Sequence, residues 1–582
     1  MSLIYQPSKQ TIGQLLSDTK KTSVPDYQRD YSWTASHVDY FWQDVVHFAD
    51  GLNGKDMADE EYFLGSMVRV DLPSHFELLD GQQRLATAVI LLSAIRDHLR
   101  PLNTRVADKT QDKYIAEEAD RTGELAPSLR LSRYDRDYFR RRIQEDSGTE
   151  AEAKTRSQRL INEARNKFDH ELANVLATKA DERAREQWLI FLRDVIVDHL
   201  TTVTVTCASE RYAASIFETL NDRGLGLSTV DLLRNFILRR AAEPDREEII
   251  SLWHQILDES SSVDVDDFLR HYWTSRHGDI KSQRLYRAIR DRMDEDATPS
   301  LEFMRDLADA HKDYVRIISA KFQDPRVRDV LQDVFSLKAK MLYPLFLSGL
   351  ASGEEDFSGL VEAAITYYTR EGIVAKRNGS QMERIVFSAA VDLHKRKDVK
   401  RVFSSFLRES ADDIVFDAAV DGLRGLDTPS ARYLLKEIEM SLRNGEETKV
   451  ERPPKVHVEH VYPQRPRSEY RWASHAEYVG KLGNLTLLSR AINTRIKNAP
   501  FAEKRQHLSG SELLITQEVA SHTDWDEAAV DSRQALLGER IKKIWAWPQF
   551  VVEAADEVRA LEIQGDVAIP SQSTEARGKS AR

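Results

Sequence analysis

The sequence predicts a multidomain α+β protein in which helix predominates. Three observations carry that expectation. At 582 residues, and at roughly 150 residues per domain, the chain should hold two to four domains rather than one core. Strand-like runs are few and short, near residues 62–80, 201–206 and 455–462, whereas the long stretches between them carry helical periodicity. With 41% apolar and 31% charged residues, the composition excludes a largely disordered chain, a collagen-like repeat and a disulfide scaffold.

Residues 62–71 and 76–80 read as two strands joined by the turn-like Leu72-Pro-Ser-His75. A helix follows at once, because Leu85, Val89, Leu92, Ile95 and Leu99 recur at helical spacing and Pro101 marks its end. Residues 103–200 are mostly charged helical sequence, closing with the amphipathic stretch Ala184 to Leu200; the β-branched run Thr201 to Thr206 then predicts a strand. Next come a helix over 211–220, the turn Asn221-Asp-Arg-Gly224 and a helix from about Thr229 to Ala241. Residues 245–445 read as a helical connector. The polar stretch Asn444-Gly-Glu-Glu-Thr448, followed by Pro453-Pro454, is the best linker candidate. Beyond it lie a strand-like Lys455 to Tyr462 and helices to about Trp547, and the composition of Pro570 to Arg582 predicts a disordered tail.

The one cysteine, Cys207, rules out an internal disulfide and any multi-Cys zinc site, and the most apolar window, Leu85 to Ile95, is too short and interrupted to span a bilayer. The first residues lack a signal-peptide pattern, so the expected location is the cytoplasm. A net charge of −12 means that any nucleic-acid contact is local. Between Glu451 and Gly510 stand 11 Lys and Arg against 5 Glu and no Asp, a basic segment in an acidic protein. A second basic run, Arg130, Arg133, Arg136, Arg140, Arg141 and Arg142, is either a binding patch or a solvated helix face.

Asp80-Gly-Gln-Gln-Arg84 joins a predicted strand to a helix N-terminus, whose unpaired N–H groups bind phosphate oxygens readily. Gly81 permits close backbone approach, and Arg84 could add a bidentate contact. A tight turn with Asp80 as helix cap and Arg84 in an ion pair is the plainer alternative. Two other segments share this chemical character: Val24-Pro-Asp-Tyr-Gln-Arg-Asp-Tyr-Ser-Trp33, and the run from Phe217 to Asn235.

With these three segments in order, residues 10–240 resemble the DGQQR-motif family of N-terminal domains, whose fold is similar to the ParB and sulfiredoxin superfamily and whose loop serves nucleotide binding and hydrolysis. The resemblance implies a nucleotide site of Gln28, Arg29, Asp80, Gly81, Gln82, Gln83 and Arg84, with Asn221 and Arg223 nearby and a catalytic share for Gln83 and Arg84. Ser228 and Asp231 have capping-box spacing, for which a structural part suffices. Tyr27, Tyr31 and Trp33 either line a pocket for a modified base or backbone or belong to the core. No Walker loop is present: Gly578-Lys-Ser580 has Ser573 where a glycine is required, so the NTPase implied is not a P-loop enzyme.

The second chemical signal is Val456-His-Val-Glu-His-Val-Tyr-Pro-Gln464, then Lys481-Leu-Gly-Asn-Leu-Thr-Leu-Leu488, then Asn493 and Asn498 before Phe501. Hydrolysing a phosphodiester needs a base to activate water and a hard cation to stabilise the developing charge. A histidine beside a carboxylate, with asparagine amides as further oxygen ligands, supplies those groups. A strand with alternating exposed groups is the plainer alternative, and zinc is weakly supported without cysteine partners or a later histidine at ligand spacing. The whole pattern resembles the HNH, or ββα-metal, nuclease motif over residues 430–550, extending through Trp525, Arg533 and Trp545. The resemblance implies Glu459 as acidic metal ligand, His460 as general base, Asn484 as the brace of the loop and Asn493 as second metal ligand. Asn498 stays open as the alternative ligand, and His457 is expected on the other face of the strand.

Two such domains in this order resemble the GmrSD-like, modification-dependent type IV restriction enzymes, including the phosphorothioate-sensing SspE group. The resemblance implies a DGQQR-motif domain over 1–240, with a ParB/sulfiredoxin-like α/β fold and helical insertions. It further implies a helical connector over 241–428, an HNH domain over 429–560 and a tail over 561–582. The implied job is defence, with nucleotide binding or hydrolysis licensing DNA cleavage. The implied cofactors are Mg²⁺ or Mn²⁺ and an NTP, the partners are modified phage or foreign DNA with no membrane, and homo-oligomer formation stays open. The rival functions are a nucleotide- or DNA-sensing regulator without turnover and a nuclease toxin acting on unmodified DNA or RNA.

Overall fold

The computed structural model describes residues 5–26, 28–52, 60–118, 125–145, 152–209, 212–213, 229–259, 263–443, 456–496 and 498–567. Over these residues the protein is a predominantly helical α+β structure. The chain divides into two compact units, Met1–Ser261 with Tyr286–Arg305, and Ser262–Leu285 with Asp306–Arg582.

The first unit is organised by eight strands: β1 (Tyr5–Thr11), β2 (Thr22–Ser23), β3 (Tyr62–Asp71), β4 (Phe76–Asp80), β5 (Ala116–Glu118), β6 (Leu125–Pro127), β7 (Leu129–Arg130) and β8 (Leu200–Cys207). Six of them form a mixed sheet in the order β1-β8-β3-β4-β2-β7, and β5 pairs with β6 apart from it. β3 runs parallel to β8 and antiparallel to β4, the latter through a bulge between Val68 and Arg69. The predicted strands at 62–71, 76–80 and 201–206 are all present, the last extended by one residue at each end. β1 was not predicted. Its Gln, Ser and Lys residues carry little apolar pattern, and it exists because Tyr5–Thr11 pairs in register with Thr201–Cys207, nearly two hundred residues away.

The helix Gln82–Leu99 is the axis of this unit, with side chains buried around nearly its whole circumference. Such a helix has to be covered on every side. The helices Arg156–Ala177 and Glu182–Asp194 pack on it, and Phe168 brings the first of them against Phe41 and Trp42 of the helix Ala35–Leu52. The amphipathic stretch expected over 184–200 divides into the helix Glu182–Asp194 and a wider π-helical turn, Val195–His199, that leads into β8. The predicted helix at 229–241 spans Thr229–Arg240, whereas the expected helix at 211–220 lies, but for 212–213, outside the described residues, as does the turn after it.

The second unit is helical except for β9 (Val456–His460) and β10 (Leu485–Ser489), which pair antiparallel with His460 opposite Leu485. β10 corrects the helical expectation for this stretch. Leu485-Thr-Leu-Leu488 is ambiguous as a local pattern, and a strand partner decides it. Its core includes Val461, Tyr462, Leu488, Ile496, Leu508 and Trp525. Among the described residues no helix is long and apolar enough to cross a membrane.

Candidate functional site

In the first unit, Gly81 turns the chain from β4 into the helix Gln82–Leu99 at φ 94°, and a side chain there would collide with Met67. The motif side chains then reach into the protein. Gln82 Nε2 donates to the Arg29 carbonyl at 2.8 Å, and Gln83 Nε2 donates to the Asp30 carbonyl at 3.0 Å. Gln83 Oε1 accepts the Ser32 N–H at 2.9 Å. Arg84 turns towards β3 and donates to the carbonyls of Leu64 and Ser66, each at 2.7 Å, with the Asp80 carboxylate 3.5 Å away. Gly65, at φ 104°, leaves the room that this guanidinium fills. The loop is therefore a clamp that fastens residues 28–33 and β3 to the buried helix. Gln28 is buried, and Tyr31 belongs to the core with its hydroxyl 2.9 Å from Thr87 Oγ1. Trp33 packs on the same core, whereas Tyr27, Asn221, Arg223, Ser228 and the side chain of Asp231 lie outside the described residues.

A buried acid pair adjoins the clamp. Asp135 accepts the Tyr31 N–H at 3.1 Å and the Ser157 hydroxyl at 2.6 Å; Asp30 accepts the Ser132 hydroxyl at 2.7 Å, with His254 Nδ1 at 3.4 Å. Burial, and then the charge of Asp30, pushes the Asp135 carboxyl far above the ordinary range towards neutrality. The space among Arg29, Asp30, Gln82, Gln83 and Asp135 is about 10 Å³, at the lower limit for one water. A far larger cavity, about 1090 Å³, lies elsewhere in this unit and is lined by residues that include Asp26, Glu77, Arg133, Arg239, Arg246 and Glu247. The second basic run contributes to it and is a solvated, paired face: Arg133 bonds to Glu247, Arg136 to Asp26, Arg140 to Glu145 and Arg142 to Asn162 and Asn166.

In the second unit, His460 ends β9 and is half-buried, with Nε2 3.3 Å from the Gln464 amide nitrogen. Burial, reinforced by the nearby Lys504 charge, lowers its pKa to about 4, so the ring is neutral at neutral pH. Asn484 is fully buried between β9 and β10. Its Oδ1 accepts the Tyr462 N–H at 2.7 Å and the Trp525 indole N–H at 3.2 Å, and its Nδ2 donates to the carbonyls of Tyr462 and Val479. Asn484 thus ties both ends of the loop that follows His460. Arg533, also buried, donates to the carbonyls of Gly483 and Leu485 on either side of it.

Glu459 is held by a residue that sequence reasoning missed. Lys504 Nζ, fully buried, donates to Glu459 Oε1 and to the His460 carbonyl, each at 2.6 Å. Burial raises the Glu459 pKa and the lysine charge opposes that rise. A signal was available: Phe501, Lys504 and Leu508 stand at i, i+3 and i+7, which puts the lysine on the face that Leu508 buries. Asn493, half-buried, stands on the helix Arg490–Ile496, which packs against both strands, and Asn498 is exposed beyond it. No group of three or more His, Cys, Asp or Glu suited to a metal occurs among the described residues. Glu459 Oε2 and an asparagine amide are nevertheless oxygen donors of the kind Mg²⁺ takes when water and substrate phosphate complete its shell, so the residues fit a cation of that sort.

A strand that ends in a half-buried histidine, followed by a loop braced by a buried asparagine, makes up the candidate site of the second unit. Residues 12–238 match the family model described as the N-terminal domain of GmrSD restriction endonuclease, and residues 412–540 match that of the C-terminal domain of GmrSD restriction endonucleases. Together the two matches cover more than half of the chain, which belongs to the GmrSD restriction endonuclease family. A comparison with curated proteins found no match.

Proposed function

We propose that this restriction endonuclease cleaves modified foreign DNA in anti-phage defence, with metal-dependent phosphodiester hydrolysis at an HNH site and control by NTP binding or hydrolysis in a ParB-like first unit. The observation that carries it is the arrangement around His460. The neutral His460 ring keeps one unprotonated nitrogen that can take a proton from the attacking water, and where that nitrogen is Nε2 the water displaces the Gln464 amide, 3.3 Å away. Asn484 keeps the loop after His460 in one position while this happens. Glu459 and Asn493 would hold the divalent cation, which when bound neutralises the charge that develops on the phosphate.

The cavity of about 1090 Å³ supports the nucleotide part of this reading by its size alone, because its three arginines stand among the carboxylates of Asp26, Glu77, Glu243 and Glu247. The clamp of Gln82, Gln83 and Arg84 then acts by holding the first unit's frame. One observation favours a second reading, a DNA-sensing regulator without turnover: the Lys504 ammonium already satisfies Glu459 Oε1.

The test is incubation of the purified protein and of Arg84→Ala with modified and unmodified DNA, with and without Mg²⁺ and NTP. Cleavage confined to modified DNA, requiring Mg²⁺ and altered by NTP, is the expected result. DNA binding without cleavage under every condition would favour the regulator, and equal cleavage of unmodified DNA or RNA would favour a toxin. Rates that ignore NTP in both proteins would mean that the two units act independently.

A further inference from the structure

Deepening the reading of the second unit as a DNA endonuclease, we infer that the loop of residues 464–471 is its duplex-binding finger, with Arg465, Arg467 and Arg471 on backbone phosphates and Tyr470 against a sugar or base. The loop begins four residues after His460. Its base is closed by a stack of Tyr462 on Trp472, with ring centroids 3.8 Å apart and planes within 5°. The Tyr462 hydroxyl accepts the Trp472 N–H at 3.0 Å, and His475 Nδ1 lies 3.0 Å from the same oxygen. Asn484 holds the Tyr462 backbone from below. A single turn, Ser468–Tyr470, shapes the tip. The arginines therefore project from a loop whose ends are fixed, which limits the backbone share of the entropy lost when they engage a ligand.

Two other cations of the basic segment are already committed. Lys481 is neutralised by Asp531, and Lys504 is buried against Glu459. Arg465, Arg467 and Arg471 are exposed and have no ion-pair partner among the described residues, although Glu469 stands in the same loop, where its carboxylate accepts from the Ser468 hydroxyl. Tyr470 is 48% exposed and so open to a ligand. On a protein of net charge −12, a loop with fixed ends that carries three exposed arginines against one glutamate, beside the candidate base, is a place where a phosphate backbone gains contacts.

The experiment uses the full chain and measures affinity for a cleavable duplex across a salt series, with Ca²⁺ replacing Mg²⁺ to prevent turnover. Replacing all three arginines with glutamine should weaken binding roughly 10- to 100-fold near 0.1 M salt and lower the slope of log affinity against log salt by about 2 to 3, since each phosphate contact contributes about 0.9. Replacement with lysine should recover most of the slope. Tyr470→Ala should weaken binding with the slope unchanged. Thermal melting should be unaffected in all of these variants, because the altered groups are exposed. Wild-type affinity and slope in the glutamine variant would overturn the inference, as would a loss confined to RNA. If wild type neither binds nor cleaves duplex DNA under any condition, the endonuclease reading itself fails, and that outcome is distinct from failure of the loop.

Discussion

The Asp80–Arg84 loop and the strand ending in His460 carry the two densest clusters of chemical residues, and the protein uses them in opposite ways. In the first, Gln82, Gln83 and Arg84 direct all of the bonds described above to main-chain groups and leave about 10 Å³ between them and the buried acid pair. In the second, Asn484 and Lys504 take the main-chain bonds, and among the described residues the His460 ring bonds to Gln464. A motif rich in amides and arginine can therefore be scaffold, and a motif rich in apolar residues can frame a reactive side chain. Hydrogen-bond partners, rather than residue types, tell the two apart.

The sharpest way to break this contrast is at His460. His460→Ala should reduce DNA cleavage by roughly 10²- to 10⁴-fold with melting unchanged, measured by nicking of a supercoiled substrate. A well-folded variant that still cleaves would remove His460 from the chemistry. Next in size is Lys504→Met, which leaves Glu459 buried and unpaired and should cost about 3–5 kcal/mol in denaturant unfolding of the second unit. Combining it with Glu459→Gln should restore a good part of that loss, since the uncompensated charge is then gone; no recovery would mean that Lys504 acts mainly through the His460 carbonyl.

Arg84→Ala tests the clamp. It strips the Leu64 and Ser66 carbonyls of their donor, and a loss of about 1–3 kcal/mol is expected in the unfolding of the first unit. NTP hydrolysis should fall with it, and hydrolysis lost at full stability would instead favour direct contact between Arg84 and phosphate. The smallest effect expected is one of slope. Asp135, raised by burial and by Asp30, keeps its proton in the folded protein over a pH range where the unfolded chain releases it. The folded state then binds more protons, so stability should decline as pH rises from about 4 towards 7, with Arg234 and His254 in the same surroundings moderating the change. Asp135→Asn should flatten that decline in melting curves taken across the range.

The sequence by itself determined the elements whose signals are local. Strand-like runs joined by the Leu72–His75 turn mark β3 and β4, and heptad-like spacing with Pro101 marks the helix Gln82–Leu99. The family was legible for the same reason, since its motifs are short runs of neighbouring residues. Tertiary structure alone decided β1 and β10, because polar Tyr5–Thr11 and leucine-rich Leu485–Ser489 become strands only when β8 and β9 supply the missing hydrogen-bond ladders. It also decided which groups are available for chemistry. Arg84 and Lys504 are both cations beside a carboxylate, yet one reaches strand carbonyls through the gap that Gly65 leaves and the other closes on Glu459 from a helix 45 residues further along the chain. No local pattern contains those distances, since they arise only when separated segments pack and buried polar groups have to find partners.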